Sequence, residues 1–180
     1  MSNNIFTVYG EVPELVEKKT KEIVNDYLGQ EIDDFNYVKY NLYESDLTPI
    51  IEETLTMPFF SNKKAIVVKN SYVFTGEKFS KDLNHNSDEL IKFLEKYDGE
   101  NLIIFEVYQS KLDERKKLTK TLKKNAQLKK IEQMSEKELK QWIKSTLNNN
   151  YKDITQHALE LFIELSVFNY NIISSYYNHL

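Results

Sequence analysis

The chain has 180 residues, 24 of them basic and 28 acidic, for a net charge of −4, with 41% hydrophobic and 29% charged residues. That length holds one packed domain and a small second one, the balance excludes wholesale disorder, and the negative charge leaves nucleic-acid binding to a local patch. No run of about 18 apolar residues spans a membrane, Met1-Ser2-Asn3-Asn4 is no secretory leader, and the absence of cysteine, which removes disulfides and thiolate metal sites, agrees with a cytoplasmic home.

Strand and helix signals alternate, so an α/β sheet is expected. Ile5-Phe6-Thr7-Val8-Tyr9 reads as a buried strand ended by Gly10. Val12, Leu15, Val16, Ile23, Tyr27 and Leu28 then form one helical face, with Pro13 in the first turn and Gly29 as the stop. Residues 35–40 alternate like a second strand. Asp46 is a candidate cap for a helix with Leu47, Ile50, Ile51 and Leu55 on one side, and Glu52-Glu53 belong to its solvated side.

Ala65-Ile66-Val67-Val68 is a third strand, and residues 70–86 read as a polar, irregular connection. Asn86 with Glu89 forms a capping box before Leu90, Phe93, Leu94 and Tyr97. Leu102 to Val107 is a fourth strand, Arg115 to Asn125 a helix, and Leu128 to Ile131 a fifth strand. Ser135 and Glu138 make a second capping box, opening a helix that buries Leu139, Trp142, Ile143 and Leu147. The run Asn148-Asn149-Asn150 is the best boundary by composition; Ile154 and Leu159 beyond it form a hydrophobic staple around a Thr155 cap. The end, Tyr176-Tyr177-Asn178-His179-Leu180, is apolar without a helix stop and reads as a chain cut short.

Motifs for chemistry are sparse. The first strand, turn and helix stand where a P-loop would be, but Tyr9-Gly10-Glu11-Val12-Pro13-Glu14-Leu15-Val16-Glu17 has one glycine, no Gly-Lys-Ser/Thr and three carboxylates that repel phosphate. Classical ATP binding is not expected, and no cofactor is. His85, His157 and His179 share no ligand spacing and read as surface or capping histidines. Arg115, Lys116, Lys117, Lys120, Lys123, Lys124, Lys129 and Lys130 form the strongest charge cluster. It is either a phosphate-contacting patch or, as we favour without interleaved aromatics to stack bases, the wet face of a helix buried through Leu118 and Leu122. Phe59 and Phe60 follow Met57-Pro58, and adjacent side chains diverge on any regular backbone, so the two rings do not share one pocket. Patterning reads both as packing residues, with one turned outward as the alternative.

Four pieces in order carry a resemblance. They are Tyr9 to Glu17; Met57-Pro58-Phe59-Phe60-Ser61 ahead of Ala65 to Val68; Lys111-Leu112-Asp113-Glu114-Arg115-Lys116-Lys117-Leu118; and Glu138-Leu139 followed by Trp142-Ile143. Over about residues 5 to 147 the chain resembles the front part of the delta subunit of the bacterial DNA polymerase III clamp loader. Val167-Phe168-Asn169-Tyr170-Asn171 departs from that family's glycine-containing stretch.

The resemblance implies an AAA+-like parallel sheet flanked by helices, of degenerate P-loop NTPase type, over residues 1–140. It implies the start of a small helical, lid-like domain over 141–180, with the third, collar domain absent. Carried over by position, Met57, Phe59 and Phe60 correspond to the apolar wedge that enters the beta sliding clamp and opens the ring for loading on DNA. Expected partners are that clamp and, through the collar, the other loader subunits, with DNA met only indirectly. No intrinsic catalysis is expected, although the family is classed with the polymerase holoenzyme. The alternative is a nucleic-acid-binding domain using the Lys-rich 115–130 segment.

Overall fold

The computed structural model describes residues 4–29, 32–58, 63–78, 83, 85–132, 136–149 and 152–166. They fall into two compact units, residues 1–132 and 133–180.

In the first unit five strands, β1 (Ile5–Tyr9), β2 (Tyr37–Asn41), β3 (Ala65–Lys69), β4 (Leu102–Val107) and β5 (Gln127–Lys130), form an all-parallel sheet in the order β2-β3-β4-β1-β5. Parallel strands need covered faces, and the side-chain alternation supplies two cores. Ile5, Ile66, Val68, Ile103, Phe105 and Val107 point to one face, where helices α2 (Leu47–Leu55), α3 (Ser87–Lys96) and α4 (Lys117–Asn125) cover them. Val8, Ala65, Val67, Leu102 and Ile104 point to the other, under helix α1 (Pro13–Leu28). α1 packs through Val16, Ile23 and Val24 with Thr20 between them. It stops at Gly29, whose φ of 74° a side chain would resist and whose N–H closes on Asn25 O at 2.8 Å.

All five strands lie close to where the sequence puts them, but β5 runs Gln127–Lys130 rather than Leu128 to Ile131, and β2 starts at Tyr37 rather than Phe35. The Asp33 carboxylate accepts from the N–H groups of Phe35 and Asn36, at 2.8 and 2.9 Å, and this Asx turn holds Phe35 out of the strand, 66% exposed. α4 likewise begins two residues late. Asp113 accepts from the backbone and side chain of Arg115, keeping that residue in a turn ahead of the helix.

The connection after β3 is the larger correction. Tyr72–Phe74 form a single 3-10 turn whose three side chains are all buried, Phe74 meeting Phe105 edge-to-face at 5.1 Å. A three-residue run shows no periodicity, so the sequence leaves this core contribution silent.

Two caps also differ in detail. Asp46 takes the N-cap position of α2, but its side chain makes no capping hydrogen bond there. Asn86 caps α3 by accepting from Asp88 N and Glu89 N, while Glu89 accepts from the hydroxyl of Thr48 on α2 at 2.9 Å. Half of the capping box has thus become an interhelical tie.

The second unit consists of α5 (Glu136–Asn149) and α6 (Gln156–Ser166) around Ile143, Leu159 and Ile163. Ile154 and Leu159 share that cluster, and Thr155 Oγ1 accepts from Ala158 N at 3.3 Å, the staple and cap read from the sequence. Asn148 and Asn149 do not form a linker; they complete the last turn of α5. Ser135 and the side chains of Glu138, Leu139 and Trp142 lie outside the described residues.

Candidate protein-binding edge

Because every strand runs the same way, the loops sort into two rims. The C-terminal rim is where open α/β sheets usually hold ligands. Here it holds its own side chains. Gly10 follows β1 and donates to Val107 O at 3.1 Å, while Ile131 N donates to Tyr9 O at 2.7 Å. Ile131 therefore lies across the turn, and a Cβ on Gly10 would sit 2.7 Å from its carbonyl oxygen. This glycine serves a close chain approach, not a phosphate cradle.

Beside it, Glu17 on α1 pairs with Lys69 at 2.6 Å, and the Tyr108 hydroxyl donates to Glu106 at 2.7 Å. The Lys69 hydrogen bond holds the Glu17 carboxyl below its ordinary value. Burial, and then the hydrogen bond to Glu106, push the Tyr108 phenol far above its own. The Glu17 and Glu106 carboxylates beside the Gly10 turn are paired within the fold, an arrangement that disfavours a triphosphate at that turn.

The N-terminal rim differs. α2 descends to it and ends at Leu55, and the chain returns as β3 at Ala65. The sequence places Leu55 on the buried side of α2, but Thr54 takes the last core position and Leu55 is 62% exposed. Met57, two residues on, is 83% exposed. With Ile32 and Phe35 before β2, these are all the large apolar side chains described as exposed in the first unit, and all four stand on this rim. Phe59 and Phe60 lie outside the described residues.

The supports of this edge are residues the sequence does not single out. Asn101, 7% exposed, donates through Nδ2 to Thr54 O and Thr56 O, both at 2.9 Å. Tyr97 donates its hydroxyl to Asn101 O at 2.6 Å. Lys64, 4% exposed, pairs with Glu53 at 2.6 Å, so Glu53 is not the purely solvated residue its helix pattern implies. The Glu53–Lys64 partners lie 11 residues apart and the Thr54–Asn101 partners 47, beyond any local signal.

The basic segment is partly spent on its own neighbours. Arg115 chelates Asp113, Lys123 pairs with Glu114, Lys130 with Glu132, and Lys116 donates to Val73 O. Lys117, Lys120 and Lys124 stand exposed on α4, whose other side buries Leu118 and Leu122. A half-open cleft of about 320 Å³ between Tyr9, Lys111, Lys123 and Lys130 is the described pocket nearest to them. Among the described residues no group of His, Asp and Glu could hold a metal. His85 instead donates to Leu42 O at 3.0 Å beside Tyr72, and His157 is exposed on α6. His179 lies outside the described residues. No described helix is long and apolar enough to cross a membrane.

Comparison with known proteins agrees with this architecture. The family model described as "DNA polymerase III, delta subunit" matches residues 6–132, ending where the first unit ends. The DNA polymerase III subunit delta of Bacillus subtilis is 30% identical over 161 residues, covering 89% of this chain and 46% of the relative. The solved structure of the Bacillus subtilis DNA clamp loader delta protein matches with a TM-score of 0.69 at 28% identity, covering 89% of this chain and 48% of that one. The chain thus spans about half the length of the relatives it matches. The fold is the AAA+-like parallel sheet flanked by helices, and the chain belongs to the DNA polymerase III delta subunit family.

Proposed function

We propose that the chain binds the beta sliding clamp of DNA polymerase III through its N-terminal rim, and that this contact opens the ring for loading on DNA. Met57, Phe59 and Phe60 are the inserting wedge. The observation that carries the reading is the exposure of Leu55 and Met57, with Ile32 and Phe35, on one rim of a unit in which no other described large apolar side chain is exposed. Such side chains, gathered on one rim and rimmed by polar groups, are what a protein partner covers.

The wedge acts by differential affinity. A ligand that fits the distorted clamp interface better than the closed one shifts the ring toward opening, and no nucleotide chemistry on this chain is required. The Gly10 turn, filled by Ile131 and flanked by Glu17 and Glu106, supports that division of labour. The first unit is then the clamp-binding domain and the second the beginning of a lid; other loader subunits are met through chain outside these residues.

The test compares two forms of the clamp. A monomeric clamp, already free of ring strain, is expected to bind at least about tenfold more tightly than the closed ring, a difference of about 1.4 kcal/mol. Equal affinity for the two would leave a binder with no power to open.

A further inference from the structure

The exposed rim receives no hydrophobic anchoring at Leu55 or Met57, yet the backbone there is held at both ends. At the exit, every carbonyl that the end of α2 would leave open from Glu52 to Thr54 has a partner. Thr56 Oγ1 donates to Glu52 O at 2.8 Å, Thr56 N donates to Glu53 O at 3.3 Å, and Asn101 donates to Thr54 O and again to Thr56 O. At the return, Lys64 is tied three ways: its ammonium to Glu53, its carbonyl to Leu102 N at 2.8 Å, and its successor Ala65 N to Asn36 O at 2.8 Å.

Water ordinarily satisfies the last carbonyls of a surface helix. Here the fold buries the Asn101 amide to do it and, beside it, buries the Lys64 ammonium against the Glu53 carboxylate; burying either group is costly unless its bonds are made. The bond to the buried Thr54 carbonyl removes the cost of an unmet acceptor, whereas the bond to Thr56 O, on an exposed residue, adds little to stability. What these ties together add is a fixed direction for the chain that leaves α2 and a fixed point for its return. Closing the two ends in this way removes conformational freedom that a partner would otherwise have to freeze.

We propose that Asn101, together with the Glu53–Lys64 pair, is a positioning latch that presents the Leu55–Met57 segment in its binding conformation. The inference rests on the clamp reading above. Asn101 touches no partner; it acts through the carbonyl of Thr54 in α2 and that of the C-cap Thr56, and Tyr97 holds its backbone in place.

Hydrogen exchange and clamp titration on the full chain test the latch together. In Asn101→Leu, which fills similar space without donors, amides of residues 53–57 are expected to exchange at least about tenfold faster while β3 and β4 keep wild-type rates. Clamp affinity is expected to fall at least about tenfold. Glu53→Gln, which loosens the other arm and keeps Asn101, is expected to shift both readouts the same way, so a poorly folding Asn101 variant does not end the experiment. In a Met57→Ala background the Asn101→Leu penalty is expected to shrink about threefold, because the two act on one contact. A wild-type affinity in both latch variants overturns the proposal, and so does faster exchange spread evenly over the sheet. If the wild-type chain fails to bind the clamp at all, the reading of the rim falls, and the exchange pattern alone upholds or overturns the latch.

Discussion

The two rims of one sheet, built from the same five strands, have opposite characters. The C-terminal rim is filled by Ile131 across Gly10, the Glu17–Lys69 pair and the Tyr108–Glu106 bond. The N-terminal rim leaves Leu55 and Met57 in water and spends its buried polar groups on holding the backbone beneath them. A parallel sheet fixes only which loops share an edge. Whether an edge takes a small ligand or a protein is decided by what those loops bury, and here the turn after β1 is filled by the chain itself while the opposite edge leaves Leu55 and Met57 exposed.

Substitutions at the two edges should separate these roles. The largest effect on stability is expected from Gly10→Ala, which places a methyl against the Ile131 backbone and should cost about 2–3 kcal/mol in denaturant melts. A variant as stable as wild type would mean that the turn has room for more than its own chain.

Next comes Glu53→Ala, which leaves the Lys64 ammonium buried without its partner. About 2 kcal/mol is expected, less than for a fully buried pair because Glu53 is 31% exposed. A change of a few tenths would show that Lys64 reaches water and that the return end of the segment is not held by this pair.

The smallest effect concerns acid. Glu17 has a folded-state value below its ordinary 4.5 because Lys69 hydrogen-bonds the carboxylate. The pair's contribution is therefore complete above that ordinary value and fades as pH falls through the lowered one. Between about pH 6 and about pH 3, wild type should lose more stability than Lys69→Met. The excess should stay below about 1 kcal/mol, since both side chains are about a third exposed. Parallel acid curves for the two proteins would remove this pair from the account of the closed rim.

The sequence carried the sheet well because its signals are local. Ile5–Tyr9 and Leu102–Val107 are short runs that are apolar apart from Thr7 and Glu106, and the structure makes strands of both. The α6 cap and staple are equally local, lying within six residues. What could not be read from it are features made by distant partners. Asn101 looks like any polar residue before a strand until it meets Thr54 and Thr56, and Lys64 looks like a surface lysine until Glu53 covers it. Leu55 misled for a simpler reason. Helical spacing from Ile51 points it inward, but the helix ends at that residue and the core no longer lies beside it.

Within the candidate site, Met57 is where the family correspondence and the geometry meet, whereas Phe59 and Phe60 rest on the correspondence. The latter two are therefore the residues to change. A calorimetric titration of the sliding clamp from the same organism, run with wild type and with Phe59→Ala/Phe60→Ala and paired with thermal melts, tests the central claim most directly. The account expects binding to weaken by at least about 2 kcal/mol while the melting temperature stays near wild type. Unchanged clamp binding, or a double variant that melts far lower, would place both rings inside the domain and contradict the account.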